Sequence, residues 1–276
     1  RSTTVTGVQT CALPIYAAEK RVEILSIPRD TWVALEGKGY DKINHAYAFG
    51  GEPLTQRTVE ALLGTSVDYY LIADMQAFAW AVDAMGGVDI DVEKRMYYED
   101  PWDENGGLII DLYPGRQHLD GAEAMAYVRY RDGEGDIGRM GRQQKFLQAV
   151  LAKVSSPEMI PKLPEVVENL RKFLQTNMPL RDMVEMAVLL PAVRERGMTT
   201  EVLPGRPGWW QETGYWLPDL EATRALVARQ MGVTFTPGMK AAAEKLSGQY
   251  QASLPDGLTD VEGTRSEEHT SELQSR

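Results

Sequence analysis

The apolar residues of this chain recur with two different periods. Residues 21–27 form a nearly continuous apolar run that ends at Pro28, which is typical of a strand buried between neighbours. Residues 53–63 instead place apolar side chains three and four positions apart, and Gly64 follows them. This spacing predicts a helix that begins near Pro53 and ends at Gly64, because proline suits the first helical turn and glycine the position after the last.

The same alternation of strand and helix continues along the chain. Residues 67–73 and 88–92 have the composition of strands, and between them Asp74 is a candidate cap for a helix. Residues 97–107 are rich in acidic residues, proline and glycine, which predicts a loop or a lid, and residues 108–112 predict another short strand. Strands that alternate with helices in this way predict an α/β fold with helices packed against a sheet.

The last third of the chain begins with helices whose boundaries are marked by prolines. Residues 201–203, a loop over residues 204–210 and residues 214–217 are together predicted to make a strand or a hairpin. Asp219 is a candidate cap for a last helix that runs to about Met231. The aromatic residues of this region form either a packing cluster or a wall of a ligand cleft; they are Trp209, Trp210, Tyr215 and Trp216.

Positive charge is concentrated in one stretch of a chain whose formal net charge is -11. Asp120 is a candidate N-cap for a short helix over residues 121–128, and if the alternating residues 127–131 are extended, Arg129 and Arg131 lie on the same side. Such a local positive field predicts that an anion binds here. The stretch holds four arginines within fourteen residues: Arg129, Arg131, Arg139 and Arg142.

A second helix is predicted from about residue 137, with Asp136 as its cap. Arg139, Arg142 and Gln143 then share one face, because residues three and four apart are neighbours on a helix. The helix dipole adds to their charge, and arginine forks match pairs of phosphate oxygens, so a phosphate or diphosphate is the predicted ligand. The alternative is that the arginines pair with the acidic residues between them as a solvated charge cluster, and this stretch alone favours neither reading.

The two ends of the chain differ in pattern from the rest. Residues 1–16 and 265–276 show neither helix nor strand periodicity and resemble translated sequencing-adapter DNA. Cys11, the one cysteine, falls in the first of these segments, so neither a disulfide nor a Cys/His metal site is expected. Residues 234–264 have weak periodicity and are predicted to be a C-terminal tail. No apolar run reaches the ~18 residues that a membrane-spanning helix needs, and an anchor upstream is left open.

Four sequence segments together resemble the LytR-CpsA-Psr family. They are SIPRDT at residues 26–31, KINHAYAFGG at 42–51, LDGAEAMAYVRYR at 119–131 and GDIGRMGRQQ at 135–144. The order and spacing of four motifs make the resemblance specific, and it covers residues 17–233. It implies a three-layer α/β/α sandwich with a central mixed sheet and an apolar pocket for lipid, with the first strand of the domain missing.

The resemblance also implies an enzyme of the bacterial envelope. Members of this family transfer a glycopolymer, such as teichoic acid or capsule, from a polyprenyl diphosphate carrier to a sugar hydroxyl of peptidoglycan. They lie at the outer face of the cell membrane, held by an anchor helix, so membrane lipid is an implied partner and nucleic acid is not. Two alternatives are kept: a polyprenyl diphosphate phosphatase that uses the same site, and an envelope-linked transcriptional regulator.

The motifs assign roles to individual residues. The resemblance implies that Arg29, Arg129 and Arg131 contact the diphosphate and that Arg139 and Gln143 lie at the same head group. The residues implied to act in catalysis are Arg29, Arg129, Arg131, Asp136 and Arg139.

Mg²⁺ is the cofactor that the resemblance implies. Family members hold it with acidic residues upstream of SIPRDT, where this chain has the adapter-like segment, so the ligands are expected to be missing. If they lie within the chain, the candidates are Asp30, Asp41 and Asp136.

Overall fold

The computed structural model describes residues 10–12, 15–16, 21–73, 75–101, 108–130, 135–196 and 198–259. Its strands, in chain order, are β1 (Thr10–Ala12), β2 (Ile15–Tyr16), β3 (Arg21–Ile27), β4 (Trp32–Leu35), β5 (Gly39–Lys42), β6 (Leu71–Ile72), β7 (Val88–Val92), β8 (Met96–Asp100), β9 (Leu108–Leu112), β10 (Gly115–Leu119), β11 (Gln175–Thr176), β12 (Met198–Val202), β13 (Gly205–Trp210) and β14 (Thr213–Pro218). Its helices are α1 (Asn44–Leu63), α2 (Met75–Ala84), α3 (Gly121–Arg129), α4 (Gly135–Val154), α5 (Leu163–Arg171), α6 (Leu180–Arg196), α7 (Leu220–Gln230) and α8 (Pro237–Gln251), with a 3-10 turn over Ile160–Lys162. Strands and helices are interleaved, so the predicted α/β class is confirmed.

The chain divides into two compact units. The first comprises Arg1–Pro14, Glu23–Val67 and Thr200–Arg276, and the second comprises Ile15–Val22 and Asp68–Thr199. Each unit has its own cluster of buried apolar side chains. The predicted domain bounds of 17–233, with a tail to residue 264, stay a prediction.

Strand β3 lies inside the sheet to which it belongs. It pairs antiparallel with β1 and has β12 on its other side, while β2 pairs with its first residues. Leu25 and Ile27 are 0% and 1% exposed, so the predicted buried strand over residues 21–27 is confirmed. In the pairing of β1 with β3, Cys11 stands opposite Ser26, although the sequence pattern assigns β1 to the adapter-like segment.

Helix α1 is interrupted by a pair of glycines. Gly50 and Gly51 leave helical geometry, and Gly51 has a φ of 61°, a left-handed value that glycine adopts without steric cost. Pro53 therefore lies near the start of a second helical segment. That segment ends where Gly64, also left-handed, donates its N–H to the carbonyl of Glu60 at 2.7 Å. The predicted helix end at Gly64 is confirmed.

The C-terminal part of the first unit contains a hairpin where a loop is predicted. Strands β13 and β14 pair from Gly205 opposite Pro218 to Trp210 opposite Thr213. Prolines and glycines in this segment indicate a loop, but a two-stranded ribbon tolerates them because one side of each strand has no ladder to complete. After the hairpin, Asp219 caps α7 by accepting the N–H of Ala222 at 2.9 Å, as predicted.

Part of the segment predicted as a C-terminal tail is helical, because residues 237–251 form α8. Thr236 caps this helix by accepting the N–H of Met239 at 3.2 Å, and α8 packs against α7. Ala243 and Tyr250 are 3% and 4% exposed and are the two buried residues of the fifteen in the helix. With so few inward positions, the apolar pattern is too weak to reveal the helix.

The second unit has a core shared by its hairpins and helices. Val88, Met96, Leu119 and Tyr127 are each 0% exposed. Strand β7 pairs antiparallel with β10, and β8 with β9. The strands predicted at residues 88–92 and 108–112 are confirmed, whereas the one predicted at residues 67–73 shortens to β6.

One loop prediction in the second unit is wrong. Residues 97–100, which the acidic composition assigns to a loop, belong to β8 and pair with β9. Their polar side chains lie on an exposed strand rather than in a loop. The remaining residues 102–107 of the predicted lid, and the predicted cap Asp74, lie outside the described residues.

Among the described residues, no helix has both the length and the apolar character needed to cross a membrane. The lipid pocket that the resemblance implies stays a prediction.

Candidate functional site

The SIPRDT segment turns sharply where β3 ends. The N–H and the hydroxyl of Thr31 both donate to the carbonyl of Pro28, at 3.0 Å and 2.5 Å. Arg29 and Asp30 therefore occupy the central positions of a tight turn, and Thr31 is fully buried beneath it. The predicted placement of Arg29 at the carboxyl end of a buried strand is confirmed.

Backbone hydrogen bonds hold this turn against two other segments of the first unit. Its carbonyls accept from N–H groups around the start of α1 and from β14, so the turn has little freedom to move. The same bonds give a physical reason why SIPRDT, KINH and YWLP occur together in one sequence, since each contributes to one backbone arrangement. The bonds are Asn44 to Arg29 (3.2 Å), Ile43 to Thr31 (2.8 Å) and Trp216 to Asp30 (2.9 Å).

The carboxylate of Asp30 interacts chiefly with Lys42. The Lys42 Nζ lies 2.8 Å from Asp30 Oδ1, whereas Arg29 Nε is 3.8 Å from the same oxygen. The pairing of Arg29 with Asp30, considered in the sequence as the alternative to ligand binding, is thus present but long. A partly exposed contact of this kind is worth less than about 1 kcal/mol, so it does not prevent an anion from binding Arg29.

Asp41, just before the KINH segment, and His45 within it add a second acidic residue and a histidine. One oxygen of Asp41 accepts the N–H of Lys42 at 2.7 Å, and the other lies 2.9 Å from His45 Nδ1. His45 is therefore within ion-pair distance of Asp41, although the contact lacks the geometry of a hydrogen bond. Its ring also packs edge-on against Phe49, with 5.9 Å between the centroids.

The ring of Tyr215 lies against Lys42, the residue that pairs with Asp30. The Lys42 ammonium lies 4.9 Å from the centre of the Tyr215 ring, a cation–π distance. Burial, followed by the negative charge of Asp41, raises the pKa of the Tyr215 phenol. Trp32 packs edge-on against both Tyr215 and Trp210, at 5.0 Å and 6.4 Å, so the packing alternative for these aromatic residues is the one with direct support.

In the second unit, Arg129 lies in the last turn of α3 rather than in an extended segment. Asp120 caps the start of α3 as predicted, and the side chain of Glu123 completes a capping box. The extended arrangement is wrong for residues 127–129, which are helical. Tyr130 then leaves helical geometry with a ψ of 132°, and Arg131 lies outside the described residues.

Arg142 has a structural position rather than the open position that the charge cluster suggests. Its side chain is buried, at 2% exposed, and it donates to the carbonyl of Tyr130 at 2.7 Å. Its guanidinium also lies 5.3 Å from the Tyr130 ring centre. A cation at this point satisfies a carbonyl at the negative end of α3, so Arg142 fixes the end of the helix that carries Arg129.

The remaining predicted residues lie on α4. The helix begins at Gly135, so Asp136 belongs to its first turn and is not the cap that the sequence suggests. Arg139 and Gln143 lie three residues before and one residue after Arg142 on this helix, and the face predicted to be shared by the three side chains stays a prediction. The side chains of Asp136 and Arg139 lie outside the described part of the structure.

A buried tyrosine of α3, Tyr127, connects this helix to the segment that follows β7. Tyr127 is fully buried, and its hydroxyl donates to Glu93 Oε2 at 3.0 Å. Lys145 contacts the same carboxylate oxygen at 3.4 Å and also the carbonyl of Asp91. Burial, followed by the negative charge of Glu93, raises the pKa of Tyr127 well above the ordinary tyrosine range. These contacts join residues far apart in sequence, and no motif spacing reveals them.

Tyr127 predicts a loss of stability at alkaline pH. Because its pKa is raised in the folded state, its contribution is fully present below the unfolded value of about 10 and is lost as pH rises above it, by at most about 1.4 kcal/mol per pH unit. Tyr127→Phe should weaken this alkaline decline and cost roughly 1 kcal/mol at neutral pH. Urea unfolding at pH 8, 10 and 11 measures both effects. Exposed Tyr98→Phe is the control, and an unchanged decline in Tyr127→Phe would contradict the assignment.

The acidic residues that the structure describes do not form a magnesium site as they stand. Within that part of the chain, no three His, Cys, Asp or Glu side chains are grouped to hold a metal ion. Asp30 and Asp41 are engaged by Lys42 and His45, and an ammonium group 2.8 Å from a carboxylate oxygen takes the place that a cation would need. These two residues therefore do not fit Mg²⁺ in this arrangement.

Both units are α/β structures in which an arginine is held on a fixed backbone, at a strand end in one and a helix end in the other. The class of structure that these observations define is a mixed α/β fold. Residues 10–232 match the LytR_cpsA_psr family, and the chain belongs to this LytR-CpsA-Psr family.

Curated relatives share about one third of their residues with the chain. Polyisoprenyl-teichoic acid–peptidoglycan teichoic acid transferase TagT of Bacillus subtilis (strain 168) is 35% identical over 176 residues, which is 64% of this chain and 54% of TagT. Regulatory protein MsrR of Staphylococcus aureus (strain COL) is 36% identical over 163 residues, 58% of this chain and 47% of MsrR. The chain thus spans about half the length of the curated relatives it matches.

Solved structures share the fold. TagV of B. subtilis superposes with a TM-score of 0.70 at 29% identity, covering 82% of this chain and 89% of TagV. TagT bound to LI-WTA gives a TM-score of 0.65 at 29% identity, covering 82% of this chain and 85% of TagT.

Proposed function

We propose that this protein transfers a glycopolymer, of the teichoic acid or capsule class, from a polyprenyl diphosphate carrier to a sugar hydroxyl of peptidoglycan. The observation that carries the proposal is the family match over residues 10–232. The similarity to TagT, which is named a teichoic acid transferase, supports the same reaction. The family also supports a location at the outer face of the cell membrane, where carrier and peptidoglycan meet.

The proposed reaction exchanges one phosphate linkage for another. A sugar hydroxyl of peptidoglycan loses its proton to a base and forms a bond to the phosphorus that carries the glycopolymer. The diphosphate bond breaks, and polyprenyl phosphate leaves with the electron pair. Arginines stabilise this step because they neutralise charge that grows on the leaving phosphate.

Within the second unit, we assign diphosphate binding to Arg129 and Gln143. Arg129 is held on a capped helix whose end is fixed by Arg142, and Gln143 follows Arg142 on α4. Arg131, Asp136 and Arg139 stay proposals of the resemblance. Mg²⁺ also stays a proposal from the resemblance, and no step is derived through it.

In the first unit, we assign diphosphate binding to Arg29, and this assignment predicts a loss of affinity. Arg29→Ala should weaken binding of a soluble isoprenyl diphosphate by about 1.5 kcal/mol, roughly tenfold, because a charge-assisted hydrogen bond to phosphate is lost. Isothermal titration measures the change. Arg57→Ala, which removes an exposed arginine paired with Glu36 in the same unit, is the matched control. Equal affinities for both variants would remove Arg29 from the site.

Product analysis tests the reaction itself. The protein is incubated with polyprenyl diphosphate-linked glycopolymer and peptidoglycan. Polymer covalently bound to peptidoglycan, with polyprenyl monophosphate released, is the expected outcome. Free phosphate or free polymer phosphate without transfer would instead identify a phosphatase, the alternative that uses the same chemistry with water as the acceptor.

A regulatory role is the second candidate, since MsrR is named a regulatory protein. The net charge of -11 opposes binding to nucleic acid, which requires a basic surface. A salt titration with duplex DNA distinguishes the two candidates. A steep loss of DNA affinity as salt rises would favour the regulator, because counterion release gives such a slope.

A further inference from the structure

The hairpin of β8 and β9 presents an aromatic face to solvent. Tyr97 stands opposite Asp111 and Glu99 opposite Ile109, so these four side chains share one side of the hairpin, and Arg95 and Tyr113 continue it at one end. On the other side, Met96, Ile110 and Leu112 are buried, at 0%, 1% and 3% exposed, while Tyr98 near the hairpin end is 44% exposed. We call the outward set the hairpin face; it comprises Arg95, Tyr97, Glu99, Ile109, Asp111 and Tyr113.

The apolar side chains of the hairpin face are largely exposed to solvent. Tyr97, Ile109 and Tyr113 are 58%, 70% and 62% exposed. Single exposed apolar residues are common, but three on one side of one hairpin form a patch, and patches rimmed by polar groups are typical of binding surfaces. All six residues belong to the second unit.

The two tyrosine rings are held in place by one arginine. The Arg95 guanidinium lies 4.0 Å from the ring centre of Tyr113 and 5.6 Å from that of Tyr97. Arg95 itself donates to the carbonyls of Met96 and Leu112, at 3.1 Å and 3.0 Å, and pairs with Asp111. Because the arginine is anchored to both strands, the rings are ordered before any partner binds, which lowers the entropy cost of binding.

The charged residues of the hairpin face limit which class of partner can bind there. The hairpin face carries one positive residue, Arg95, and two negative ones, Glu99 and Asp111, and the positive one is already paired with Asp111. A polyanion or an anionic lipid surface would meet repulsion here. An uncharged sugar ring meets none, because its C–H face can stack on a tyrosine while its hydroxyl and amide groups reach carboxylate oxygens. The Tyr97 hydroxyl and Glu99 Oε2, 3.3 Å apart, offer such a polar edge.

We infer that the hairpin face binds the glycan strand of peptidoglycan. The second unit then holds the acceptor polymer through sugar rings that stack on its tyrosine rings. The inference rests on the proposed function, which supplies peptidoglycan as the acceptor, and it adds the surface that holds it. The sequence pattern conceals this surface, because the acidic composition of residues 97–107 predicts a loop.

Co-sedimentation with peptidoglycan sacculi freed of teichoic acid tests the inference. Tyr97→Ala/Tyr113→Ala should bind sacculi roughly tenfold more weakly than the parent chain, whereas Tyr97→Phe/Tyr113→Phe, which keeps both rings, should bind within about twofold. Trp80→Ala is the matched control, since it removes a ring that is 40% exposed elsewhere in the same unit. Thermal unfolding confirms that each variant is folded.

The outcomes separate the inference from the proposed function. Each preparation is also titrated with a soluble isoprenyl diphosphate. Unchanged sacculus binding in the double alanine variant, with diphosphate binding intact, would overturn the hairpin face alone. Absence of diphosphate binding in the parent chain would count against the proposed function instead. Loss of self-association, or of binding to anionic phospholipid vesicles, with sacculus binding unchanged would identify a second copy or a membrane as the occupant and overturn the inference.

Discussion

Tyr250→Ala is expected to destabilise the first unit by about 3 to 4 kcal/mol, the scale of removing a large buried aromatic side chain. Tyr250 is 4% exposed, and its ring lies 6.1 Å from that of Tyr40, which in turn stacks on Trp32 at 6.3 Å. Removing it leaves a cavity between α8 and the β4–β5 hairpin. Urea unfolding followed by tryptophan fluorescence measures the loss, since Trp32 is close to the cavity.

Two variants of α8 serve as controls for this prediction. Met239→Ala, at a position that is 40% exposed, should change stability by no more than about 0.5 kcal/mol. Tyr250→Phe keeps the ring and should change it by no more than about 1 kcal/mol. If Tyr250→Ala matched Met239→Ala, α8 would not be docked, and the tail that the sequence predicts would be the correct description of residues 234–264.

The elements that could be predicted from sequence are those with a strong local signal. Strand β3 has a nearly continuous apolar run and a proline stop, and α3 and α7 have aspartate caps, so their positions follow from a few neighbouring residues. Helix α8 lacks such a signal because it buries only two side chains. Strand β8 lacks it because its outward residues are polar and acidic, and the pairing with β9 decides its structure.

In the candidate site too, some residue positions could be predicted from the sequence and others could not. The strand-end position of Arg29 follows from the sequence, because Pro28 must end β3. The engagement of Asp30 by Lys42 and Tyr215 does not follow, since it depends on backbone bonds between segments far apart in the chain. For the arginine cluster, composition correctly indicates local positive charge, but it cannot distinguish buried Arg142 from the others. Burial depends on where α4 packs, and that is a tertiary property.

Arg129→Ala is expected to weaken binding of a soluble isoprenyl diphosphate by about 1.5 to 3 kcal/mol, roughly 10- to 150-fold. The physical reason is preorganisation. Arg129 lies on a helix fixed at its start by the capping box of Asp120 and Glu123 and at its end by Arg142. Little backbone freedom is then lost when a phosphate binds, so more of the interaction energy appears as affinity.

Two further variants decide whether Arg129 acts through its fork or only through its charge. Arg129→Lys keeps the charge but cannot form two parallel bonds to phosphate, so its affinity should fall between the parent and the alanine variant. Arg181→Ala removes a surface arginine that is 83% exposed and paired with Glu185 in the same unit, and it should bind like the parent. Titration calorimetry at two salt concentrations measures all three, with thermal unfolding to verify the fold. If Arg129→Ala bound as tightly as Arg181→Ala, Arg129 would belong to a solvated charge cluster, since an exposed pair contributes less than about 1 kcal/mol and is screened by salt.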